Sequence, residues 1–445
     1  MPPWRPPPSA PSPAPVVPVG KRCYFPAIAG VHVMRSIVLS VALLAPTLTS
    51  PSQVRADADD LRIMAEPIGY TAVLDAFDED DPFDVDVHVG YRRATVEATI
   101  QRESATSGGR SSVDFVDLGT SLRVVKQMTF GVDVGLYRDL MLTLRLPFIL
   151  SDERTIDWLR VSRSANDSFT PLFGTATQFK AKPRFGVPGL DIGLRWGVTN
   201  QYRSPGWPTW VLLAETHYVT GEVLRACADG DDCEAGISPG ASELELGSRW
   251  SYRSRYLEPY LGIAYVWPIV TSGEALHGPN GGRASSGSPP EEGELTVGMA
   301  VVPWEDRRRF QRFVVDLRSF VSHRTAGREA SPMFDALGTS ELLGNRSTGL
   351  SDVEARVRGG IDLGLVMRAA RYVRFRVSVA LSQSTPYLIT TAPGCDGTIV
   401  LDPMDSSMGS CGGAPFVPVI ELPGGRFRVD GELTTDLRAT ASGQF

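Results

Sequence analysis

From Phe83 onward the chain alternates apolar and polar residues with a period of two: Phe83, Val85, Val87, Val89 and Tyr91 stand against Asp84, Asp86, His88, Gly90 and Arg92. The phase slips at Arg92-Arg93 and resumes as Ala94, Val96, Ala98 and Ile100 against Arg93, Thr95, Glu97 and Thr99. A one-residue slip inside a period of two is what a β-bulge produces, so this stretch reads as one long bulged strand. The period recurs at Leu190, Ile192, Leu194, Trp196 and Val198, and again at Val353, Ala355, Val357, Ile361, Leu363, Leu365 and Met367. Amphipathic helices of comparable length are missing from the pattern, which argues against a mixed fold.

Twelve strands are expected, at 83–103, 113–137, 139–151, 184–199, 209–222, 241–253, 256–271, 292–303, 310–324, 351–367, 372–390 and 425–445. Their connections alternate in length. Those at 138, 200–208, 254–255, 304–309 and 368–371 are short, whereas 152–183, 223–240, 272–291, 325–350 and 391–424 are long. This is the pattern of an all-β fold, an antiparallel up-and-down transmembrane β-barrel of about 12 strands with short periplasmic turns and long extracellular loops. An even strand count puts both ends of the barrel on the periplasmic side. Trp196, Trp210, Trp250, Tyr252, Tyr256, Tyr260, Tyr265, Trp267 and Trp304 fall toward strand ends, as interfacial girdles or as cross-strand packing.

In the last strand every apolar residue has odd numbering: Phe427, Val429, Leu433, Leu437, Ala439 and Phe445. Between them stand Arg426, Arg428, Asp430, Glu432, Thr434, Asp436 and Arg438. A strand apolar on one face, charged on the other and ended by an aromatic residue resembles the assembly signal of Gram-negative outer-membrane β-barrels. That resemblance implies an outer-membrane location, lipid on the apolar face, and recognition of Phe445 by the barrel assembly machinery. The run Gly135-Leu136-Tyr137-Arg138-Asp139-Leu140-Met141-Leu142-Thr143-Leu144-Arg145-Leu146-Pro147-Phe148 resembles the strand, turn, strand signature of porin-like outer-membrane transporters. These include transporters associated with aromatic-compound degradation, and Gly189-Leu190-Asp191-Ile192-Gly193-Leu194-Arg195-Trp196 resembles their next strand. The similarity covers under a fifth of the chain and implies passive uptake of a small molecule.

Composition agrees with a barrel more than with a helical membrane protein: 42% of residues are hydrophobic and the mean hydropathy is near zero. The apolar stretch 37–48 follows Arg35 and precedes Val54, Arg55 and Ala56, the layout of a signal peptide over 34–56. Before it, 1–33 is Pro-rich, reading as a disordered extension or as a start assigned too early, with Met34-Arg35 the better beginning. A periplasmic lead-in occupies 57–82, and the barrel 83–445. Cleavage after Ala56 removes five basic residues and no acidic ones, moving the formal charge from −7 to −12. So acidic a chain is no general nucleic-acid binder. The four cysteines beyond the signal peptide suggest two disulfides, Cys227 with Cys233 and Cys395 with Cys411 in the simplest pairing, both in long loops.

With the apolar face toward lipid, the lumen receives Arg145, Asp191, Arg195, Glu243, Glu245, Arg249, Asp316, Arg318, Glu354, Arg356, Arg358, Arg374, Arg376, Asp430 and Glu432. Asp84, Asp86, His88, Glu97, Asp133, Asp436 and Arg438 join them. Two readings stay open: ion pairs that fill a narrow barrel, or a charged constriction that passes a small polar or amphiphilic solute. Arg356, Arg358, Arg374 and Arg376, on two adjacent strands, form the candidate anion-attracting patch. A surface receptor or plugged structural barrel is the alternative. A lipid hydrolase would use His217, which alternates with Glu215, but no serine motif accompanies it. No cofactor or metal spacing is present. The expected partners are outer-membrane lipid, the assembly machinery and a small solute, with the barrel monomeric.

Overall fold

The computed structural model describes residues 67–74, 76, 84–105, 113–159, 173, 176–270, 289–340, 349–390, 399–401, 409–411, 414–416 and 425–445. Cys395, and with it the second expected disulfide to Cys411, lies outside the described residues.

Twelve long strands form the wall: β1 Val85–Ala105, β2 Val113–Tyr137, β3 Leu140–Trp158, β4 Gly189–Thr199, β5 Thr209–Val219, β6 Ala241–Ser251, β7 Leu257–Val270, β8 Glu292–Asp306, β9 Gln311–Arg324, β10 Arg356–Ala370, β11 Val373–Ser384 and β12 Phe427–Gln444. Each pairs antiparallel with its sequence neighbours, and β12 closes on β1 from Asp86↔Gln444 to Arg102↔Phe427. Phe445 fastens this seam: its N–H donates to the Val85 carbonyl at 2.8 Å, and its own carbonyl accepts from Asp84 and Val85 at 3.0 Å. Closure leaves no open sheet edge in the wall.

Period-two side chains sort into two environments. On β10, Ile361, Leu363, Leu365 and Met367 are half-exposed on the outside, while Asp362, between two of them, is 4% exposed on the inside. Val373, Phe375, Val377, Val379 and Leu381 continue the belt on β11, as do Leu144, Leu146, Phe148 and Leu150 on β3 and Ile192, Leu194 and Trp196 on β4. A continuous apolar exterior around a closed barrel is a lipid-facing surface, and the protein is a transmembrane β-barrel of the outer-membrane type. Aromatic residues rim the short-turn end: Tyr137, Trp207, Tyr256, Trp304, Tyr372 and Phe445 are all exposed. Tyr260 departs from the girdle pattern, being only 4% exposed and directed into the barrel.

Three expected strands break. The segment expected over 184–199 is Arg184–Gly186 and then β4, interrupted at Val187-Pro188; that expected over 372–390 is β11 and then Tyr387–Thr390, interrupted at Thr385-Pro386. Proline has no N–H to give the ladder. The segment over 351–367 divides at Glu354-Ala355 into Ser351–Val353 and β10.

The expected bulge at Arg92-Arg93 is corrected. β1 pairs with β2 without a break from Val85↔Val134 to Ile100↔Gly119, so its pleat never slips there. Instead the surroundings change. Below Arg93 the outward odd residues Val87, Val89 and Tyr91 are apolar; above it the outward Arg93 and Glu97 are exposed, and the inward Ala94, Ala98 and Ile100 are buried. β12 reaches the same result in the opposite way. Its apolar residues keep odd numbering, but the register with β1 jumps from Glu97↔Leu433 to Thr99↔Asp430, leaving an extra residue beside Gly431 at φ 61°. Phe427 and Val429 therefore point inward with no exposure, while Leu433 and Leu437 face out. β3 does likewise around Leu150, the residue skipped between Lys126↔Ser151 and Gln127↔Ile149, which turns Ile156 and Trp158 inward.

Candidate functional site

The inward faces of the strands build three layers along the barrel axis. At the long-loop end is an apolar cap. Ile100, Leu118, Ile156, Trp158, Phe427 and Val429 from the wall pack with Met333 and Leu337, which lead into and belong to the short helix α1 (Phe334–Gly338), and with Val353, Tyr387 and Ile389. Trp158 stacks on Phe173 at 4.9 Å, and Phe173 meets Phe427 edge-on at 6.0 Å. Beside this core runs a chain of buried charges. Asp152 accepts from Arg123 at 2.8 Å and pairs with Arg154 at 2.9 Å; Arg154 reaches Asp335 of α1 at 3.6 Å. Asp335 also takes the fully buried Arg184 at 2.5 Å and the Cys227 backbone N–H at 3.2 Å. One carboxylate on α1 thus ties the loop bearing the Cys227–Cys233 disulfide to the wall.

Below the cap lies a charged waist. Arg145 pairs with Glu215 at 3.1 Å and with Asp133 at 3.9 Å, and Arg195 shares Glu215 at 3.6 Å. His217 Nδ1 lies 2.5 Å from Asp191 Oδ1. On the other side Asp86 takes Arg374 at 2.8 Å, and Asp316 takes Arg376 at 2.8 Å and Arg318 at 3.5 Å. Arg92 and Arg438 converge on Asp436, which is 5% exposed, at 2.8 and 2.7 Å. Although they point inward, Arg92 and Arg438 keep 41 and 48% of their side chains accessible, so the waist holds space for water.

The short-turn mouth is crossed by the segment 67–74, which precedes β1. The Ile68 N–H donates to both carboxylate oxygens of Glu258, at 3.0 and 2.8 Å. Ile68 packs on Ala300, Val302 and Val314; farther along, Val73 packs on Met141 and Val211. Thr71 and Ser251 share a hydroxyl hydrogen bond at 2.6 Å. Tyr70 enters the lumen, stacks on Tyr260 at 4.5 Å, and lies under the guanidiniums of Arg249 at 4.8 Å and Arg318 at 5.1 Å. Gly262 makes this possible: a Cβ there would come within 1.9 Å of the Tyr70 hydroxyl. Tyr260 in turn donates to Asp316 at 2.5 Å.

The residues expected in the lumen take varied places. Arg145, Asp191, Arg195, Arg249, Asp316, Arg318, Arg374 and Arg376 meet in the network just described. Glu245 stands opposite Glu215 on adjacent strands, and Glu243 stands opposite His217. Glu432 accepts from Ser384 at 2.8 Å and from Tyr387 at 2.7 Å, under the cap. Arg356 pairs with Glu329 at 2.6 Å and lies over Tyr387; Arg358 lies over Phe320. Glu354 is exposed and accepts from the Leu388 N–H. Asp430 takes the outer face, alternating with the buried Val429 and paired with Arg428 at 3.5 Å, because the bulge at Gly431 separates it from the inward phase below. Glu97 is on the outer face too. The four-arginine patch is not assembled. Arg374 and Arg376 register with Arg368 and Val366 near the short-turn end, whereas Arg358 registers with Ser384 near the other end. Eight residues of strand separate those levels, roughly 27 Å at about 3.4 Å per residue.

Sequence reasoning missed Tyr70, Glu258, Arg92, Arg123 and the α1 carboxylate Asp335. Arg92 and Arg123 stand among alternating residues and were legible in phase; segment 67–74 carries no period at all. Among the described residues the wall is interrupted inside the apolar belt. β3 pairs with β4 up to Arg145↔Asp191, then with Arg184–Gly186 only from Ile149↔Gly186, so Pro147, which registers with Thr129 of β2, has no ladder partner on its other side, where the Pro188 break lies. Among the described residues no group of three or more His, Cys, Asp or Glu side chains is placed to hold a metal ion, and no helix is long and apolar enough to cross a membrane.

No protein-family profile matches the chain, and no curated protein is significantly similar to it. Solved structures align over most of its length. An outer membrane channel from Pseudomonas putida F1 is 11% identical over 84% of this chain and 100% of its own, with a TM-score of 0.34. A FadL homologue from Pseudomonas aeruginosa is 8% identical over 82% of this chain and 93% of its own, with a TM-score of 0.31. The outer membrane protease OmpT from Escherichia coli is 8% identical over 82% of this chain and 99% of its own, with a TM-score of 0.30.

Proposed function

We propose that this barrel is a passive outer-membrane transporter for a small amphiphilic solute, with segment 67–74 closing its periplasmic mouth. The layering of the lumen carries this reading: an apolar cap, a hydrated charged waist, and a mouth crossed by a short, mainly apolar strap. An amphiphile finds apolar contact first and guanidinium or carboxylate partners next, in a space that water also enters. The ladder gap between Pro147 and Pro188 gives an apolar portion of such a solute an adjacent weak place in the wall. The strap is held by the Glu258 anchor, the Tyr70 stack, the Thr71–Ser251 hydrogen bond and the packing of Ile68 and Val73, each of which a moving segment can break.

The experiment is single-channel conductance of the full chain in planar bilayers. The unaltered protein is expected to conduct little, and Tyr70→Ala, which removes the stack on Tyr260 and the contacts with Arg249 and Arg318, to conduct several-fold more often. Silence from both would favour the plugged barrel or surface receptor, a reading that the closure at both ends also supports. The hydrolase alternative has one supporting pair, His217 with Asp191. Among the described residues no hydroxyl is hydrogen-bonded to that imidazole, whose Nε2 lies over Gly189. Phospholipid turnover in detergent that vanishes in His217→Ala would overturn the transporter reading.

A further inference from the structure

The rim made by the short turns is charged unevenly. Three turns that follow one another around the barrel, those joining β6 to β7, β8 to β9 and β10 to β11, carry Arg253, Arg255, Arg307, Arg308, Arg309 and Arg371. The Val302 N–H donates to the Tyr256 carbonyl at 2.8 Å and Gln311 donates to the Ala369 carbonyl at 2.9 Å, so these turns form one arc. Three carboxylates, Glu258, Glu305 and Asp306, accompany these six guanidiniums and the neighbouring Arg312. Glu305 is ringed by Arg253, Arg307 and Arg312 at 3.1 to 3.8 Å, and Asp306 lies 3.7 Å from Arg309. The turns joining β2 to β3 and β4 to β5, on the opposite half of the rim, are close to neutral: Arg203 is held by Asp139 at 2.6 Å, and Arg138 is the other charge they carry.

The arc's arginines are also seated at a particular height. Arg255 lies over the Tyr256 ring at 5.0 Å, and Arg371 over Phe310 at 5.6 Å and Tyr372 at 5.5 Å. Tyr256 and Tyr372 belong to the exposed aromatic girdle, at 55% and 47% exposure. Girdle aromatics mark the level of lipid headgroups, so guanidiniums stacked on them are presented to that layer with their stems along apolar surface. A guanidinium fork matches two oxygens of a phosphodiester. In a zwitterionic lipid the ammonium offsets that phosphate, whereas an anionic headgroup leaves it uncompensated.

The geometry points to this arc as a binding surface for anionic glycerophospholipid headgroups in the periplasmic leaflet. It is independent of what the lumen carries. It also gives the barrel one lipid-selective side, spanning β6 to β11.

Native mass spectrometry of the full chain released from detergent tests it, with phosphatidylglycerol and phosphatidylethanolamine supplied in equal amounts. The unaltered protein should retain phosphatidylglycerol about tenfold more than phosphatidylethanolamine, an arginine near such a surface contributing on the order of a few-fold to tenfold. Arg255→Gln/Arg308→Gln/Arg371→Gln should lose that preference. Arg138→Gln/Lys180→Gln, which removes two charges elsewhere, should keep it, and inorganic phosphate should not displace the lipid. Heat-modifiable migration identifies the folded fraction of each variant. Equal retention of the two lipids by the unaltered protein, an equal loss in the control variant, or displacement by phosphate would overturn the proposal.

Discussion

Below the level of Arg93, Lys126 and Ser151 the barrel is apolar outside and charged inside; above that level it is charged outside and encloses an apolar core with a chain of paired charges beside it. The same strands build both regions. In the lower one the surroundings are lipid, so burial rewards apolar residues on the outer face and ion pairs in the lumen. In the upper one the surroundings are water, and the wall behaves as a soluble sandwich does, with its apolar side chains packed on α1 and the loop strands. Lys126 and Glu153, paired at 3.6 Å and both about half-exposed on the outer wall, mark the boundary. Inside and outside are therefore set by the solvent at each height and not by the strand.

The sharpest way to break the upper region is at its buried charges. Asp335 is 4% exposed and Arg184 has no exposed side-chain surface, so Asp335→Ala leaves a guanidinium buried without its carboxylate. We expect a loss of about 3–5 kcal/mol in the extracellular layer. Limited proteolysis should cut the loops of this variant far faster while the barrel stays heat-modifiable. An unchanged digestion rate would show that the cap does not depend on the charge chain.

The two regions differ next in how they treat one substitution. Leu363 is 50% exposed in the lipid belt, and Leu363→Arg is expected to cost about 2–4 kcal/mol, falling toward the membrane surfaces. Glu97 stands on the outer face of the upper region, where Glu97→Arg should change stability by less than about 0.5 kcal/mol. Urea unfolding in lipid vesicles measures both. Equal penalties would mean that the membrane reaches higher than the wall's composition indicates.

The strand ladder was legible because every strand, in either region, keeps one apolar face and a period of two. Twelve strands, the alternation of turns and loops, and the Cys227–Cys233 pair follow from that pattern and from loop composition. What the period does not carry is which face is inside. In β1 the apolar parity changes while the strand runs straight, and in β12 the parity persists while the strand bulges, so both were read with one face toward lipid throughout. The arginine patch failed for a related reason, since adjacent antiparallel strands bring Arg358 and Arg374 to opposite ends. The strap at 67–74 left no trace, because its contacts depend on which wall residues it meets and not on any repeat of its own.

Gly431 supplies the smallest and most selective test of the inversion. Its φ of 61° lies in the left-handed region, and a Cβ added there would find no other atom within 4 Å. A substitution therefore tests backbone strain alone. Gly431→Ala is expected to cost about 1–2 kcal/mol, and Gly431→Asn less, because asparagine enters that region more readily. If the bulge instead straightened, Phe427 and Val429 would rotate from the cap to the outer face, and the loss would be that of two emptied core sites, about 3–5 kcal/mol for the phenylalanine alone. A denaturation series of the two variants separates these outcomes. A small cost that asparagine relieves means that the bulge is held by the cap's packing, whereas a large cost shared by both means that the glycine itself creates the turn inward.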